Sequence, residues 1–144
     1  MTFQLSAKSL AKLETVHPYL AGVVKLALLS SDTDFTVIEG ARTIEKQREY
    51  FAAGKSKTMN SRHLPKVAPA TPDIGAVSHA VDLAPYLDAD GDGYKELSWE
   101  PEHFLPIADA MKSAALALRV RIVWGGDWTW RDMPHFELDR RTYP

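Results

Sequence analysis

The stretch Ala80-Val81-Asp82-Leu83-Ala84 predicts a short strand near the middle of a chain of 144 residues. Before it, residues 55–77 carry several prolines and little hydrophobic periodicity, which predicts a long loop. After it, residues 88–93 are rich in Asp and Gly, which predicts a turn. Further strands are predicted from short β-branched or alternating runs at residues 35–38, 119–123 and 134–138.

Helical periodicity occupies three other parts of the chain. Residues 10–28 place apolar side chains at steps of three and four, which predicts one or two amphipathic helices hinged near His17-Pro18. A polar helix is predicted from Thr43 to Gly54, and an apolar one from about Glu102 to Leu118. The first predicted elements along the chain are helices, and irregular segments separate the strands. We therefore expect an α+β fold, a small, mostly antiparallel sheet with helices packed on it.

Composition narrows the classes of function. A chain of this length with 45% hydrophobic residues suits a single domain, residues 1–144. It has no cysteine, so thiol chemistry and thiolate metal sites are excluded. The formal net charge of -2 gives no basic surface for phosphate binding, so no nucleic-acid partner is expected. Residues 1–6 lack the pattern of a signal peptide and no apolar run suits a bilayer, so we expect no stable membrane insertion.

The histidines are the most informative residues for chemistry. His17 and His103 lie at predicted helix boundaries, where a capping or surface role explains them. His63, His79 and His135 instead lie on or beside short strands or the long loop, and they mark the candidate site.

A hydrolytic zinc site needs three protein ligands and one open position, and two imidazoles with one carboxylate leave a formal charge of +1. It also needs a carboxylate that acts as a base and a cation that stabilises the oxyanion. Asp132, three residues before His135, could be the base, and Arg42 the cation. The residues alone leave a second interpretation open, in which Asp132 caps a turn with a half-buried His135 behind it.

Asp88, Asp90 and Asp92 with Gly93 match the first positions of a calcium-binding loop. The position that requires a bidentate glutamate is occupied by Trp99, so this is not a complete EF-hand. The three aspartates are therefore candidate ligands of Ca²⁺, and a solvated acidic turn is the alternative.

The four tryptophans separate into two pairs. Trp128 and Trp130 precede the segment that contains Asp132 and His135, so they are candidates for the wall of a substrate cleft. We expect Trp99 and Trp124 to pack in the interior, the commoner fate of this side chain.

Four segments together resemble the M15 family of zinc peptidases, and most closely the phage endolysins that cleave between L-Ala and D-Glu in peptidoglycan stem peptides. These segments are Ser61-Arg62-His63, Ser78-His79-Ala80-Val81-Asp82, Trp124-Gly125-Gly126-Asp127-Trp128 and Asp132-Met133-Pro134-His135-Phe136-Glu137-Leu138. The resemblance extends upstream through residues 15–18 and 34–43, and so covers most of the chain.

The resemblance implies that His63, Asp82 and His135 bind Zn²⁺, that Asp132 is the general base and that Arg42 polarises the scissile carbonyl. It also implies the fold of D-Ala-D-Ala peptidases and the hedgehog signalling domain. This chain departs from the family because His63 and Asp82 are 19 residues apart instead of seven, and because Ser78 stands where the family has Gly. His79 is the alternative first ligand, but residues three apart on a strand point to opposite faces, so His79 would not converge with Asp82. The implied insertion, at about residues 64–77, would shape the cleft or form a lid.

The function implied is that of a zinc-dependent peptidoglycan hydrolase for host cell lysis, with stem peptides as its partners. The alternatives are a D,D-carboxypeptidase or wall-recycling peptidase of the same fold, and a non-catalytic hedgehog-type zinc-binding module. By the same resemblance we expect a monomer that stays in the host cytoplasm until it is released to the periplasm.

Overall fold

Residues 2–144 are described by the computed structural model, and Met1 of the N-terminal segment discussed above lies outside them. The described residues form four α-helices: α1 (Ala7–Leu13), α2 (Pro18–Ser30), α3 (Ile44–Ala52) and α4 (Pro101–Leu118). They also form seven strands: β1 (Phe35–Glu39), β2 (Lys66–Val67), β3 (Ala76–Val77), β4 (Ala80–Leu87), β5 (Glu96–Leu97), β6 (Ile122–Trp124) and β7 (His135–Leu138).

The main sheet has the order β1-β4-β7-β6, with β5 paired to β4, and every pairing within it is antiparallel. The expected α+β class is therefore confirmed. In the register between β4 and β7, Asp82 lies directly opposite His135. On the other side of β4, Asp82 pairs with Glu39 beyond an irregularity in β1. The central strand thus carries one carboxylate between two neighbouring strands.

The core lies between the sheet and the two apolar helices, α2 and α4. Leu20, Val24, Ile107 and Met111 are completely buried there. Local sequence signals mark where these two helices begin, since Pro18 and Pro101 occupy their first turns. Among the described residues, no helix is both long and apolar enough to cross a membrane.

Several boundaries differ from the sequence prediction. The segment 55–77 is not structureless throughout, because β2 and β3 pair within it and a 3-10 turn spans Pro72–Ile74. The strand predicted at residues 119–123 begins only at Ile122, since Arg119 ends α4 in the left-handed conformation with φ 57°. The packing expectation holds for Trp124, which is 7% exposed, but is wrong for Trp99, which is 58% exposed.

His79, the alternative metal ligand, lies in the interior next to His17. Its Nδ1 atom contacts the carbonyl of Val77 at 3.1 Å, and its ring meets that of His17 edge to face at 5.3 Å between centroids. His17 has the capping role expected of it, because its Nδ1 accepts a hydrogen bond from the backbone of Tyr19. Burial, with the nearby charge of Arg62, lowers the pKa of His79 to about 4.

We predict that acid destabilises the protein partly through His79. The folded pKa of His79 lies below the unfolded value near 6.5. Its contribution to the free energy of unfolding is therefore fully present above pH 6.5 and is lost as the pH falls through 4. Urea unfolding at several pH values between 7 and 4 should show a shallower pH dependence for His79→Asn, which keeps a donor for the Val77 carbonyl. An unchanged pH dependence of the free energy of unfolding in this variant would contradict the proposed role of His79.

Candidate active site

Three side chains from separate parts of the chain meet at the end of the main sheet. His63 Nε2 lies 3.1 Å from Asp82 Oδ1, and His135 Nδ1 lies 3.3 Å from the same oxygen. One potential ligand atom from each residue lies within 4.8 Å of the other two. The backbone of His63 is held in place by a hydrogen bond from Arg42 N to His63 O of 2.9 Å. The structure therefore brings together the two imidazoles and the carboxylate that the resemblance selected.

Each imidazole is oriented by a contact on its far side. His63 Nδ1 lies 2.8 Å from the carbonyl of Gly40, which only accepts, so this nitrogen carries the proton and Nε2 faces Asp82. His135 Nε2 lies 2.9 Å from Glu137 Oε1, which leaves Nδ1 facing Asp82. Two nitrogen atoms and one oxygen atom so placed could hold a metal ion, and the outer contacts are those that fix metal-binding histidines.

The electrostatics of the cluster follow from this packing. Burial by itself raises the pKa of Asp82, but hydrogen bonds with His135 and His63 outweigh it and bring that pKa well below its usual range. For His135, burial lowers the pKa, whereas the hydrogen bonds to Asp82 and Glu137 raise it to about 9. The carboxylates thus stabilise positive charge at this point, as a cation site requires.

Asp132 and Arg42 lie on the same cleft as the cluster. Loss of solvent raises the pKa of Asp132, and the nearby charge of Asp82 raises it further. A carboxyl group with a raised pKa is suited to accept and return a proton. The guanidinium of Arg42 is largely buried, pairs with Glu39 and donates to Gln47 Oε1 at 2.7 Å.

The cleft has a volume of about 700 Å³. Trp128 and Trp130 both line it, and the Trp128 ring lies 5.1 Å from the ring of His135. Residues 55–58, which follow the turn after α3, line another part of the cleft, whereas residues 64–77 contribute no lining residue. That excursion instead contacts the N-terminus of α2, where Thr71 Oγ1 lies 3.2 Å from His17 Nε2.

The other predicted metal cluster is elsewhere and is exposed. Ligand atoms of Asp88, Asp90 and Asp92 also approach within 4.8 Å of one another. Backbone amides of the same loop donate to these carboxylates, with Gly91 N and Gly93 N each 2.8 Å from an oxygen of Asp88. This is the pattern of an acidic turn that stabilises itself, and calcium binding stays a prediction.

Three residues of the site were not predicted from the sequence: Glu39, Gln47 and Glu137. Glu137 had a detectable signal, since alternation along a strand places it on the same face as His135. Gln47 is completely buried and joins Arg42 to residues 56 and 58. Nothing local in the sequence distinguishes it from the other polar residues of α3.

The domain has an α+β fold, and one cleft contains a His/Asp/His cluster, a carboxylate with a raised pKa and an arginine. This set of groups is typical of a metal-dependent hydrolase. Comparison with known proteins agrees. The profile of the phage L-alanyl-D-glutamate peptidase family matches residues 1–144, so the chain belongs to this family.

Two relatives cover nearly the whole chain. The L-alanyl-D-glutamate peptidase of Escherichia phage T5 is 29% identical over 147 residues, which cover 99% of this chain and 94% of the relative. The crystal structure of the L-Ala D-Glu endopeptidase ChiX of Serratia marcescens matches with a TM-score of 0.79 and 37% identity, over 99% of this chain and 92% of that one.

Gly125 provides a test of how tightly the site is packed. A Cβ atom at this position would collide with the Asp132 carbonyl and lie 3.1 Å from His135 Cβ, so we predict that Gly125→Ala lowers peptidase activity more than tenfold by displacing both residues. Gly22→Ala is the matched control, because its Cβ would meet only Leu118 at 3.9 Å. Equal activity of the two variants, measured on purified peptidoglycan, would contradict the prediction.

Proposed function

We propose that residues 1–144 act as one catalytic domain that hydrolyses the bond between L-Ala and D-Glu in peptidoglycan stem peptides, with Zn²⁺ bound by His63, Asp82 and His135. The observation that carries the proposal is the convergence of these three side chains on one point beside Asp132 and Arg42. Membership of the L-alanyl-D-glutamate peptidase family supports the choice of bond.

The donor set supports zinc. Two imidazole nitrogens and one carboxylate oxygen are ligands of catalytic zinc sites, which keep a fourth position open. Bound there, Zn²⁺ would lower the pKa of a water molecule and polarise a carbonyl group. The contacts of His63 with Gly40 and of His135 with Glu137 orient the two rings for this purpose.

Asp132 and Arg42 complete the proposed reaction. Asp132 accepts the proton of the attacking water and later gives it to the amine of D-Glu as the peptide bond breaks. Arg42 donates hydrogen bonds to the carbonyl oxygen of L-Ala, where negative charge develops. Glu39 and Gln47 hold its guanidinium in place, so it loses little conformational freedom when the substrate binds.

The substrate also defines where the protein acts. An enzyme made in the host cytoplasm must pass the inner membrane to reach the wall, so we propose that it acts on stem peptides after release into the periplasm. A monomer suffices for this chemistry, because every proposed catalytic group lies on one chain.

Digestion of purified peptidoglycan tests the proposal. Mass spectrometry of the products should reveal D-Glu as the new N-terminal residue. Release of terminal D-Ala would identify a D,D-carboxypeptidase instead, and intact stem peptides after incubation with the zinc-loaded protein would identify a non-catalytic zinc-binding module.

Two substitutions separate catalysis from metal binding. Asp132→Asn should lower kcat by about 10² to 10⁴ while zinc stays bound, since only proton transfer is lost. His63→Ala should lower the zinc content itself, measured by elemental analysis after dialysis. Asp109→Asn, an exposed change of equal charge on α4, is the control for Asp132. Near-normal turnover of zinc-loaded Asp132→Asn would exclude its role as the base.

A third substitution tests the outer contact of His135. Glu137→Gln keeps the shape of the side chain but removes its charge, and we predict a zinc affinity lower by about 10-fold to 100-fold. Competition with a chromophoric chelator measures this affinity without reference to activity. The exposed Glu14→Gln is the control, and equal affinities of the two variants would show that Glu137 does not support the metal site.

A further inference from the structure

The charge of the cleft is opposite in sign to that of the whole protein. The chain carries a formal net charge of -2, yet six cationic side chains and only three acidic ones line the cleft. The acidic ones are the proposed ligand Asp82, the proposed base Asp132 and the orienting residue Glu137. A bound divalent cation would increase the excess of positive charge, so the cleft suits an anionic substrate.

The six cations divide into two groups. Arg42 pairs with Glu39, and Arg62 and Arg140 both approach Glu137. Lys55, Lys57 and Arg131 make no ion pair with any residue in the range 2–144, and all three are exposed on the cleft. We refer to Lys55, Lys57 and Arg131 as the rim cations.

The segments that carry the rim cations are held by defined contacts. Lys55 N and Ser56 N both donate to the carbonyl of Tyr50, at 2.8 and 3.1 Å. The buried Gln47 donates to Ser56 Oγ at 2.8 Å and to the carbonyl of Thr58 at 2.7 Å. The loop that presents Lys55 and Lys57 is therefore tied to α3, and through Gln47 to Arg42.

A second segment, which contains Trp130 and Arg131, also lines the cleft. The ammonium of Lys57 is 5.2 Å from the ring centroid of Trp130, so the two segments, distant in sequence, meet at this contact. Arg131 follows Trp130 and directly precedes Asp132. The rim cations thus come from two segments that line the cleft and contact each other, and one of them is adjacent in sequence to the proposed base.

The proposed substrate has an anionic group close to the bond that is cut. A glutamyl residue within a peptide uses its amine and one carboxyl group in peptide bonds and leaves the other carboxyl group free. That free carboxylate is separated from the scissile nitrogen by only a few covalent bonds. It is the group that a set of unpaired cations beside the reaction centre would recognise.

We infer that the rim cations form a subsite for the free carboxylate of the D-Glu residue that follows the scissile bond. This inference rests on the proposed function. Among the rim cations, Lys57 at the contact with Trp130 and Arg131 beside Asp132 are the specificity-determining residues. They favour stem peptides with an unmodified D-Glu over those in which this carboxyl group is amidated.

The test uses two synthetic stem peptides that differ only at this group, one with the free carboxylate and one with the carboxamide. The zinc-loaded protein should cleave the free acid with a kcat/KM about tenfold higher, the size of effect that a charge-assisted hydrogen bond supplies. In the double variant Lys57→Gln/Arg131→Gln this ratio should fall towards one. The double variant Lys8→Gln/Lys25→Gln, with the same change in net charge on α1 and α2, should keep the wild-type ratio.

Two results would overturn the subsite. One is equal cleavage of both peptides by the unmodified protein, and the other is an unchanged ratio of the two kcat/KM values in Lys57→Gln/Arg131→Gln, the rim variant. If the unmodified protein cleaves neither peptide, the proposed function fails, and calorimetric binding of the same peptides decides the subsite separately. Tighter binding of the free acid that is lost only in the rim variant would then support it, and equal binding of both peptides would exclude it.

Discussion

The antiparallel register that places Asp82 opposite His135 is the constraint on which the site depends. Side chains alternate along a strand, so a slip of one residue between β4 and β7 would move Asp82 to the other face of the sheet. The apolar neighbours oppose such a slip, because Val81, Leu83 and Phe136 are completely buried and would have to exchange places with polar groups. Burial of apolar surface in the core thus fixes the distance between two groups that do not belong to the core.

A second layer of contacts gives each site residue one orientation. Gly40 and Glu137 hold the outer nitrogens of the two imidazoles, while Glu39 and Gln47 hold Arg42. Glu39 lies in β1 and Gly40 directly after it, Gln47 lies in α3 and Glu137 in β7, so the site is supported from several directions. Such support restricts the motion of the reactive groups, and hydrolysis benefits when they are positioned before the substrate arrives.

The sequence predicted the elements whose signals are local. Periodicity marked α2 and α4, a β-branched run marked β1 and an alternating run marked β7, both strands within a residue or two. It did not predict β5 or the β2-β3 pair, because strands of two residues carry too little pattern, and it extended β6 back to Arg119, whose left-handed conformation depends on the end of α4.

The site residues, too, were predicted only in part from local sequence patterns. The short spacing between Asp132 and His135 pointed to chemistry from the residues themselves. The choice of His63 over His79 came from resemblance, supported by the alternation of side chains along a strand, which turns His79 away from Asp82. Tertiary structure makes that difference: the segment before β4 turns His79 inward towards His17 and leaves His63 beside the carboxylate.

We propose that one metal ion is shared by His63, Asp82 and His135. Diffraction from zinc-loaded crystals, recorded on both sides of the zinc absorption edge, locates zinc directly. We expect an edge-dependent peak about 2.0 to 2.2 Å from His63 Nε2, Asp82 Oδ1 and His135 Nδ1. A zinc peak bound elsewhere, with these three side chains pointing apart, would contradict it.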